Sequence, residues 1–146
     1  MGGFSMKVAV LIDGGHLRAL ARKSHKTYDP TFIEKVAHTS AAADETILRI
    51  LYYDCAPFTG DVKLPVSGKI HSFSGSDQWL RELAAKDLFA VRRGVLKFRG
   101  YKPIKIPIAA AALTDDDFSP DFEQKGVDMR IGIDMVLDLS IAIYRI

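Results

Sequence analysis

Aspartates are the residues of this sequence whose positions indicate a possible ligand-binding or catalytic role. Asp13 and Asp54 each follow an apolar run, residues 7–12 and 46–53, whose composition predicts a β-strand. In open α/β sheets ligands bind beyond the carboxyl ends of the strands, so both carboxylates are candidates for contact with a ligand. The alternative is an aspartate that only shapes a turn or caps a helix, and this interpretation is stronger for Asp54.

A second group of aspartates lies in residues 127–145, which the sequence predicts to be one long helix with apolar residues on nearly every side. Asp134 and Asp138 fall one turn apart on an otherwise apolar stripe. A buried carboxylate needs a charged partner, a proton or a bound cation, because its burial alone is costly. Arg130, one turn before Asp134, is the simplest partner. Asp128 in the first turn also suits the helix N-terminus.

A β-α-β beginning is predicted to position the first of these carboxylates. The strand at residues 7–12 is closed by Asp13-Gly14-Gly15, and a helix is expected over residues 17–23. Asp29 followed by Pro30 has the pattern of a helix cap with proline at the first helical position, and the strand at residues 46–53 comes next. This order predicts a parallel sheet with a right-handed crossover.

The middle of the chain is expected to be less regular. Residues 56–75 predict a surface excursion rich in proline, glycine and serine, and a short helix carrying Trp79 follows. Residues 88–98 have the pattern of strands, and residues 104–108 are their expected hairpin arm. Residues 114–126 are polar and acidic, which is typical of a loop.

Composition limits the class of protein. The 146 residues fit a single domain, and 48% hydrophobic with 26% charged residues is ordinary for a globular fold. Cys55 is the only cysteine, which excludes an intrachain disulfide, a CxxC redox pair and a thiolate zinc site. The apolar run that ends at Asp13 is too short for a signal peptide or a membrane span, so a cytoplasmic protein without a membrane partner is expected. We interpret residues 1–5 as a segment added for expression and residues 6–146 as the domain.

Two segments resemble motifs of the NYN family, a family of PIN-like nuclease domains. The resemblance is to the bacterial LabA-like branch of this family. The first is VLIDGG at residues 10–15, and the second is QKGVDMRIGIDM at residues 124–135. A strand ending in IDG is a weak signal alone, whereas KGVD with a second aspartate six residues later is specific. The similarity extends from Lys7 to the last residue. It implies an α/β fold with a PIN-like, Rossmann-like parallel sheet flanked by helices and carrying a β-hairpin insertion.

The resemblance also implies an activity. Asp13, Asp128 and Asp134 match the family's acidic cluster around Mg²⁺ or Mn²⁺, with Asp138 as a weaker addition, and the implied reaction is metal-dependent hydrolysis of RNA phosphodiester bonds by an endoribonuclease. Hard oxygen ligands suit both ions. The alternative is a catalytically inactive NYN domain that binds RNA or a protein. A phosphatase with Asp13 as nucleophile is less attractive, because Gly15 stands where a second aspartate is usual.

Basic side chains are the candidates for contact with RNA. Lys125 precedes the second motif, and His16 stands where the family commonly has asparagine. A basic run with interleaved aromatic residues predicts a phosphate track, although a solvated hairpin surface is the ordinary alternative. The run contains Arg92, Arg93, Lys97, Arg99, Tyr101, Lys102 and Lys105. Arg99, Lys102, Lys125 and His16 are therefore the predicted substrate-binding residues.

The family pattern continues beyond Ile146 into a further strand with an SGD-like motif and another metal-binding aspartate. That motif is missing from this sequence, so a C-terminally truncated domain is expected. A sheet that ends early would expose an edge or an apolar face, which predicts a homodimer.

Overall fold

A computed structural model describes residues 5–106, 112–137 and 142–146 of the chain, so Asp138 lies outside the described residues. Strands and helices follow one another in the order β1 (Met6–Asp13), α1 (Gly14–Lys23), α2 (Pro30–Thr39), β2 (Glu45–Cys55), β3 (Gly60–Lys63), β4 (Ile70–Phe73), α3 (Gln78–Ala84), β5 (Phe89–Pro103), β6 (Phe118–Lys125), α4 (Val127–Leu137) and β7 (Ala142–Arg145).

The strands form a mixed α/β fold with a mostly parallel sheet. Its order is β6-β5-β2-β1-β7, in which β5, β2, β1 and β7 are parallel and β6 pairs antiparallel with β5. β3 and β4 form a separate antiparallel pair. The chain moves outward from β1 through β2 to β5 and then returns to β7 on the other side of β1. This reversal makes the carboxyl ends of β1 and β7 the topological switch point of the sheet.

Helices cover both faces of the parallel strands. One core joins Val10 and Ile12 of β1 to α1, α2 and α3, and the other joins Ala9 and Leu11 to Val127 and Ile131 of α4. Successive residues of a strand point to opposite faces, so a strand buried on both faces needs a continuous apolar run. Residues 8–12 supply that run and are fully buried, as the sequence predicted for a central strand.

The predicted helix caps explain where α1 and α2 begin. The Oδ1 atom of Asp29 accepts a hydrogen bond from the backbone N–H of Phe32 at 2.8 Å, and Pro30 opens α2. α1 starts at Gly14, earlier than expected, because Asp13 itself is its N-cap. Both aspartates satisfy backbone donors that have no partner within the helix.

The prediction of one helix over residues 127–145 is wrong at its end. α4 extends to Leu137, whereas residues 142–145 form β7, which pairs in parallel with β1. Apolar residues on every side are expected of a buried helix and equally of a strand buried on both faces, so periodicity alone does not separate the two.

The expected hairpin has a different second arm. β5 is one continuous strand, and its antiparallel partner is β6, which lies in the segment predicted to be a loop. Residues 104–106 are not in a strand, and residues 107 and 108 lie outside the described residues. The polarity of β6 misled the prediction, because this outer strand places acidic side chains beside the basic ones of β5.

In the described part of the chain, no helix combines the length and the apolar character that a membrane crossing requires.

Candidate functional site

Asp13 lies at the switch point of the sheet. It is the last residue of β1, and its backbone N–H donates a hydrogen bond of 2.9 Å to the carbonyl of Ile146. Its half-buried side chain caps α1, because Oδ1 accepts a hydrogen bond of 3.2 Å from the backbone N–H of His16. Among the side chains that the structure describes, which leave out those of residues 136–145, no lysine or arginine forms an ion pair with this carboxylate. Asp13 therefore combines the predicted capping role with an oxygen that is available to a ligand.

Asp54 is the most deeply buried carboxylate among the described residues, at 1% exposure. Its Oδ1 accepts from the backbone N–H of Cys55 at 2.8 Å and from Nε2 of Gln124 at 3.4 Å. Its Oδ2 accepts from the hydroxyl of Tyr52 at 2.9 Å and pairs with the guanidinium of Arg18 on α1. The carboxylate is thus fully hydrogen-bonded and neutralised, which is how a buried charge is tolerated.

Tyrosines extend this network toward the start of α1. The hydroxyls of Tyr52 and Tyr28 contact each other, and Tyr28 also donates to the carbonyl of Gly14 at 3.2 Å. Burial raises the pKa of Tyr28 to about 12, and burial together with the Asp54 charge raises the pKa of Tyr52. Burial alone would lower the pKa of Arg18, but the Asp54 carboxylate raises it above its usual value. Both tyrosines are therefore neutral and Arg18 is charged near neutral pH.

Gly14 is required by this network. A Cβ atom at this position would lie 2.5 Å from Oη of Tyr52 and 2.8 Å from Oδ2 of Asp54, closer than side chains tolerate. The absence of a side chain lets the first turn of α1 approach the end of β2. The Asp-Gly-Gly sequence thus allows the close packing of Asp54 and Tyr52 against the helix start.

A cleft of about 400 Å³ opens beside the network, lined by Arg18, Tyr28, Asp29, Pro30 and Trp79. The rings of Tyr28 and Trp79 meet edge to face, with centroids 6.1 Å apart. The guanidinium carbon of Arg18 lies 5.2 Å from the centroid of the Tyr28 ring. The cleft therefore combines aromatic walls with the guanidinium of Arg18 and the carboxylate of Asp29.

Asp134 lies on the opposite face of the sheet and is 8% exposed. Its carboxylate accepts a hydrogen bond of 2.6 Å from the hydroxyl of Tyr53 and two more from Arg92 on β5. Burial, followed by the contact with Asp134, raises the pKa of Tyr53. Val127 and Ile131 are buried on the same side of α4, as the sequence predicted. The suggested partner Arg130 was wrong, because Arg92 supplies the positive charge from another element.

The predicted acidic cluster is not gathered in the described residues. Among them, no three histidine, cysteine, aspartate or glutamate side chains form a group that could hold a metal ion. Asp13 ends β1, Asp128 is exposed in the first turn of α4, and both oxygens of Asp134 are already hydrogen-bonded. Metal binding by these three residues together stays a prediction, and Asp138 lies outside the described part.

The predicted phosphate track carries its own counter-charges. On β6, Glu123 forms ion pairs with Lys125, at 2.9 Å, and with Arg99. Lys102 lies 3.8 Å from Asp121. The hydrogen bonds from Lys125 and then Arg99 lower the pKa of Glu123. This hairpin surface is therefore closer to the solvated, internally paired alternative than to a strongly positive groove.

His16, the remaining predicted substrate-binding residue, is exposed on α1 two residues before Arg18. Sequence reasoning missed Arg18, Tyr28 and Trp79, which come from three segments that meet only in the fold. A partial signal was present, because Asp54 directly follows an apolar run at a predicted strand end. A carboxylate buried in a strand needs a cation, but its partner Arg18 lies 36 residues earlier in the chain, so spacing along the sequence did not indicate it.

The chain matches no protein-family model, no curated protein and no solved structure. The resemblance of residues 10–15 and 124–135 to the NYN family stays a prediction.

Proposed function

We propose that this chain is a metal-dependent ribonuclease-like domain of the PIN-like NYN type that hydrolyses RNA phosphodiester bonds at the carboxyl edge of its parallel sheet. The observation that carries the proposal is Asp13, a half-buried carboxylate at the switch point of the sheet. Unlike Asp54 and Asp134, it has no arginine or lysine paired with it among the described side chains, which exclude those of residues 136–145. Ligands of open α/β folds bind at this position.

The donor set at Asp13 fits Mg²⁺ or Mn²⁺ in part. Mg²⁺ usually takes one or two carboxylates and fills its other positions with water and substrate phosphates. Oδ1 of Asp13 caps α1, so Oδ2 is the oxygen that would serve as a ligand. Asp134 fits this role less well, because Tyr53 and Arg92 already engage its oxygens. A bound ion would lower the pKa of an attacking water and neutralise charge on the phosphodiester.

A row of side chains across three strands supports a phosphate site near Asp13. Asp13 is in register with Tyr53 of β2, which is in register with Arg92 of β5. Residues in register on neighbouring parallel strands point to the same face, and the strands lie about 4.8 Å apart. Arg92 is partly exposed and keeps further N–H donors beyond those bonded to Asp134. In the proposal Arg92 binds a phosphate oxygen, and Asp134 and Tyr53 hold the guanidinium in position.

Cleavage of a labelled single-stranded RNA with Mn²⁺ tests the proposal. Asp13→Asn and Asp134→Asn are expected to reduce the rate by about 100-fold or more, since each removes a carboxylate that the reaction or its arginine requires. Asp116→Asn changes an exposed aspartate away from the sheet edge and serves as the matched control. Unchanged cleavage by a clean preparation of Asp13→Asn would contradict the proposal that this chain is the ribonuclease.

The second candidate is a catalytically inactive domain that binds RNA or a protein. The neutralisation of Asp54 by Arg18 and of Asp134 by Arg92 favours it, because paired carboxylates compete poorly for a metal ion. RNA retention without cleavage at every Mg²⁺ and Mn²⁺ concentration would support this candidate over the first.

The predicted homodimer stays a prediction. Met129 and Ile133 on α4 are 71% and 49% exposed, which leaves apolar surface on that helix. Light scattering that gives the mass of one chain at high concentration would contradict a dimer.

A further inference from the structure

We propose that the cleft lined by Arg18, Tyr28, Asp29, Pro30 and Trp79 binds an unpaired guanine base. The inference rests on the proposed function in one respect, because the guanine base would belong to the RNA substrate.

The shape of the cleft suits a flat aromatic ligand. Its volume of about 400 Å³ lies within the range of small-molecule sites and exceeds the size of one base. Tyr28 and Trp79 are partly buried and meet at an interplanar angle of 75°, so a base that stacks on one ring turns its own edge toward the other ring. Stacking on aromatic side chains is how proteins hold unpaired bases.

Arg18 supplies a fixed donor. Its Nη2 is paired with Asp54, and its guanidinium lies over the Tyr28 ring, which together set its orientation. Because a guanidinium has five N–H donors, others remain for a ligand. Arginine donates in a bidentate manner to O6 and N7 of guanine, and this pairing is the commonest specific contact between proteins and bases.

Asp29 supplies the matching acceptor. Its Oδ1 caps α2 through Phe32, so its second oxygen is left for a ligand. A carboxylate accepts hydrogen bonds from N1–H and the N2 amino group of guanine, whereas adenine would turn an amino donor toward Arg18. Asp54 already neutralises Arg18, and Asp29 adds a negative charge, so the cleft does not suit a phosphate. The charges therefore favour the base over the rest of the nucleotide.

The cleft also adjoins the proposed catalytic edge. The hydroxyl of Tyr28 donates to the carbonyl of Gly14, the residue that follows Asp13. A base held against Tyr28 therefore belongs to a nucleotide whose backbone lies beside the start of α1. Because the cleft and Arg92 lie on opposite faces of the sheet, the RNA would cross the sheet edge at Asp13 and Gly14 between the bound base and the bond that is cut.

Trp79 is the only tryptophan of the chain and lines the cleft, so its fluorescence reports binding directly. The full chain is titrated with GMP, AMP and UMP in the presence of a chelator, which makes the measurement independent of catalysis. Saturable quenching by GMP is expected, with AMP and UMP at least about tenfold weaker. Asp29→Asn keeps a good helix cap and is expected to weaken GMP binding by about tenfold.

Arg18→Lys keeps the charge beside Asp54 but loses the planar fork, so a similar loss is expected, with urea unfolding as a check on folding. Asp116→Asn is the matched control and leaves GMP binding unchanged. Absence of saturable quenching by GMP, equal quenching by AMP, or unchanged GMP binding by Asp29→Asn would overturn the inference. If the chain binds GMP but cleaves no RNA, the proposed hydrolysis is contradicted and the assignment of the cleft as a guanine site is still supported.

Discussion

The guanidinium of Arg92 on β5 holds the carboxylate of Asp134 on α4 through two hydrogen bonds, Nε to Oδ2 at 3.0 Å and Nη2 to Oδ1 at 3.2 Å. The two side chains differ in exposure, at 38% for Arg92 and 11% for Asp134. Removal of the arginine therefore leaves a buried charge with too few partners, whereas removal of the carboxylate leaves an arginine that water can solvate.

This asymmetry predicts that Arg92→Ala lowers the free energy of unfolding by about 2 kcal/mol, a figure reduced from that of a fully buried pair because Arg92 is partly exposed. Arg93→Ala is the matched control, since Arg93 pairs with the partly exposed Asp77, and its effect should be clearly smaller because water solvates this pair. Urea unfolding followed by Trp79 fluorescence measures both. Equal losses would contradict a structural role for the Arg92 pair.

The buried network around Asp54 predicts a larger effect at that position than at Asp13. Asp54→Ala leaves the Tyr52 hydroxyl, the Cys55 N–H and a half-buried Arg18 without their acceptor, so a loss of about 3 kcal/mol is expected. Asp13→Ala removes one helix cap, which is worth about 1 kcal/mol. Thermal or urea unfolding ranks the two variants, and the reverse order would show that Asp54 is less important than its contacts indicate.

Two glycines in helices should respond in opposite directions to alanine. Gly14→Ala forces a Cβ against Tyr52 and Asp54 and is expected to destabilise the fold by about 2 kcal/mol. Gly132→Ala places a methyl group in open space on α4 and should stabilise the fold by about 0.5–1 kcal/mol through helix propensity. Unfolding curves of the two variants test the close approach at Gly14 directly, and a neutral Gly14→Ala would refute it.

Alkaline pH should destabilise the protein through its buried tyrosines. Burial raises the pKa of Tyr28 from 10.0 to about 12, so between these values the unfolded chain releases a proton that the folded chain keeps. The free energy of unfolding is therefore unaffected by Tyr28 below pH 10 and falls above it, by up to about 1.4 kcal/mol per pH unit.

Tyr28→Phe should make this decline shallower, because phenylalanine has no proton to release. Urea unfolding at about pH 9, 10 and 11 gives the slope for each protein. An identical slope in Tyr28→Phe and the parent chain would show that Tyr28 titrates normally in the folded state.

Local sequence features predicted the elements around Asp13 well. The apolar run before Asp13 gave β1, and the Asp29-Pro30 pair marked the start of α2. The buried stripe of α4, including Asp134, also followed from helical spacing. These features depend on neighbours a few residues apart, which is the range over which periodicity and capping act.

Features that depend on long-range contacts escaped prediction. β7 is a strand because it pairs in parallel with β1, which lies near the other end of the sequence, although residues 142–145 continue an apolar helical pattern. Asp134 takes its cation from Arg92 on another strand, where helix geometry suggested Arg130. The Arg18 cleft is formed where the loop before α2 meets the helices α1, α2 and α3, and spacing along the chain does not indicate these contacts.

The consecutive residues Tyr52 and Tyr53 donate to Asp54 on one face of the sheet and to Asp134 on the other. Residues 50–53 of β2 are apolar or aromatic toward both sides, so hydrophobic burial alone would tolerate a slip of one position. Such a slip would turn Asp54 away from Arg18 on one face and Tyr53 away from Asp134 on the other, so both carboxylates would lose a partner. These two polar contacts between β2 and the helices α1 and α4 therefore favour one alignment of the strand, which hydrophobic burial alone does not specify.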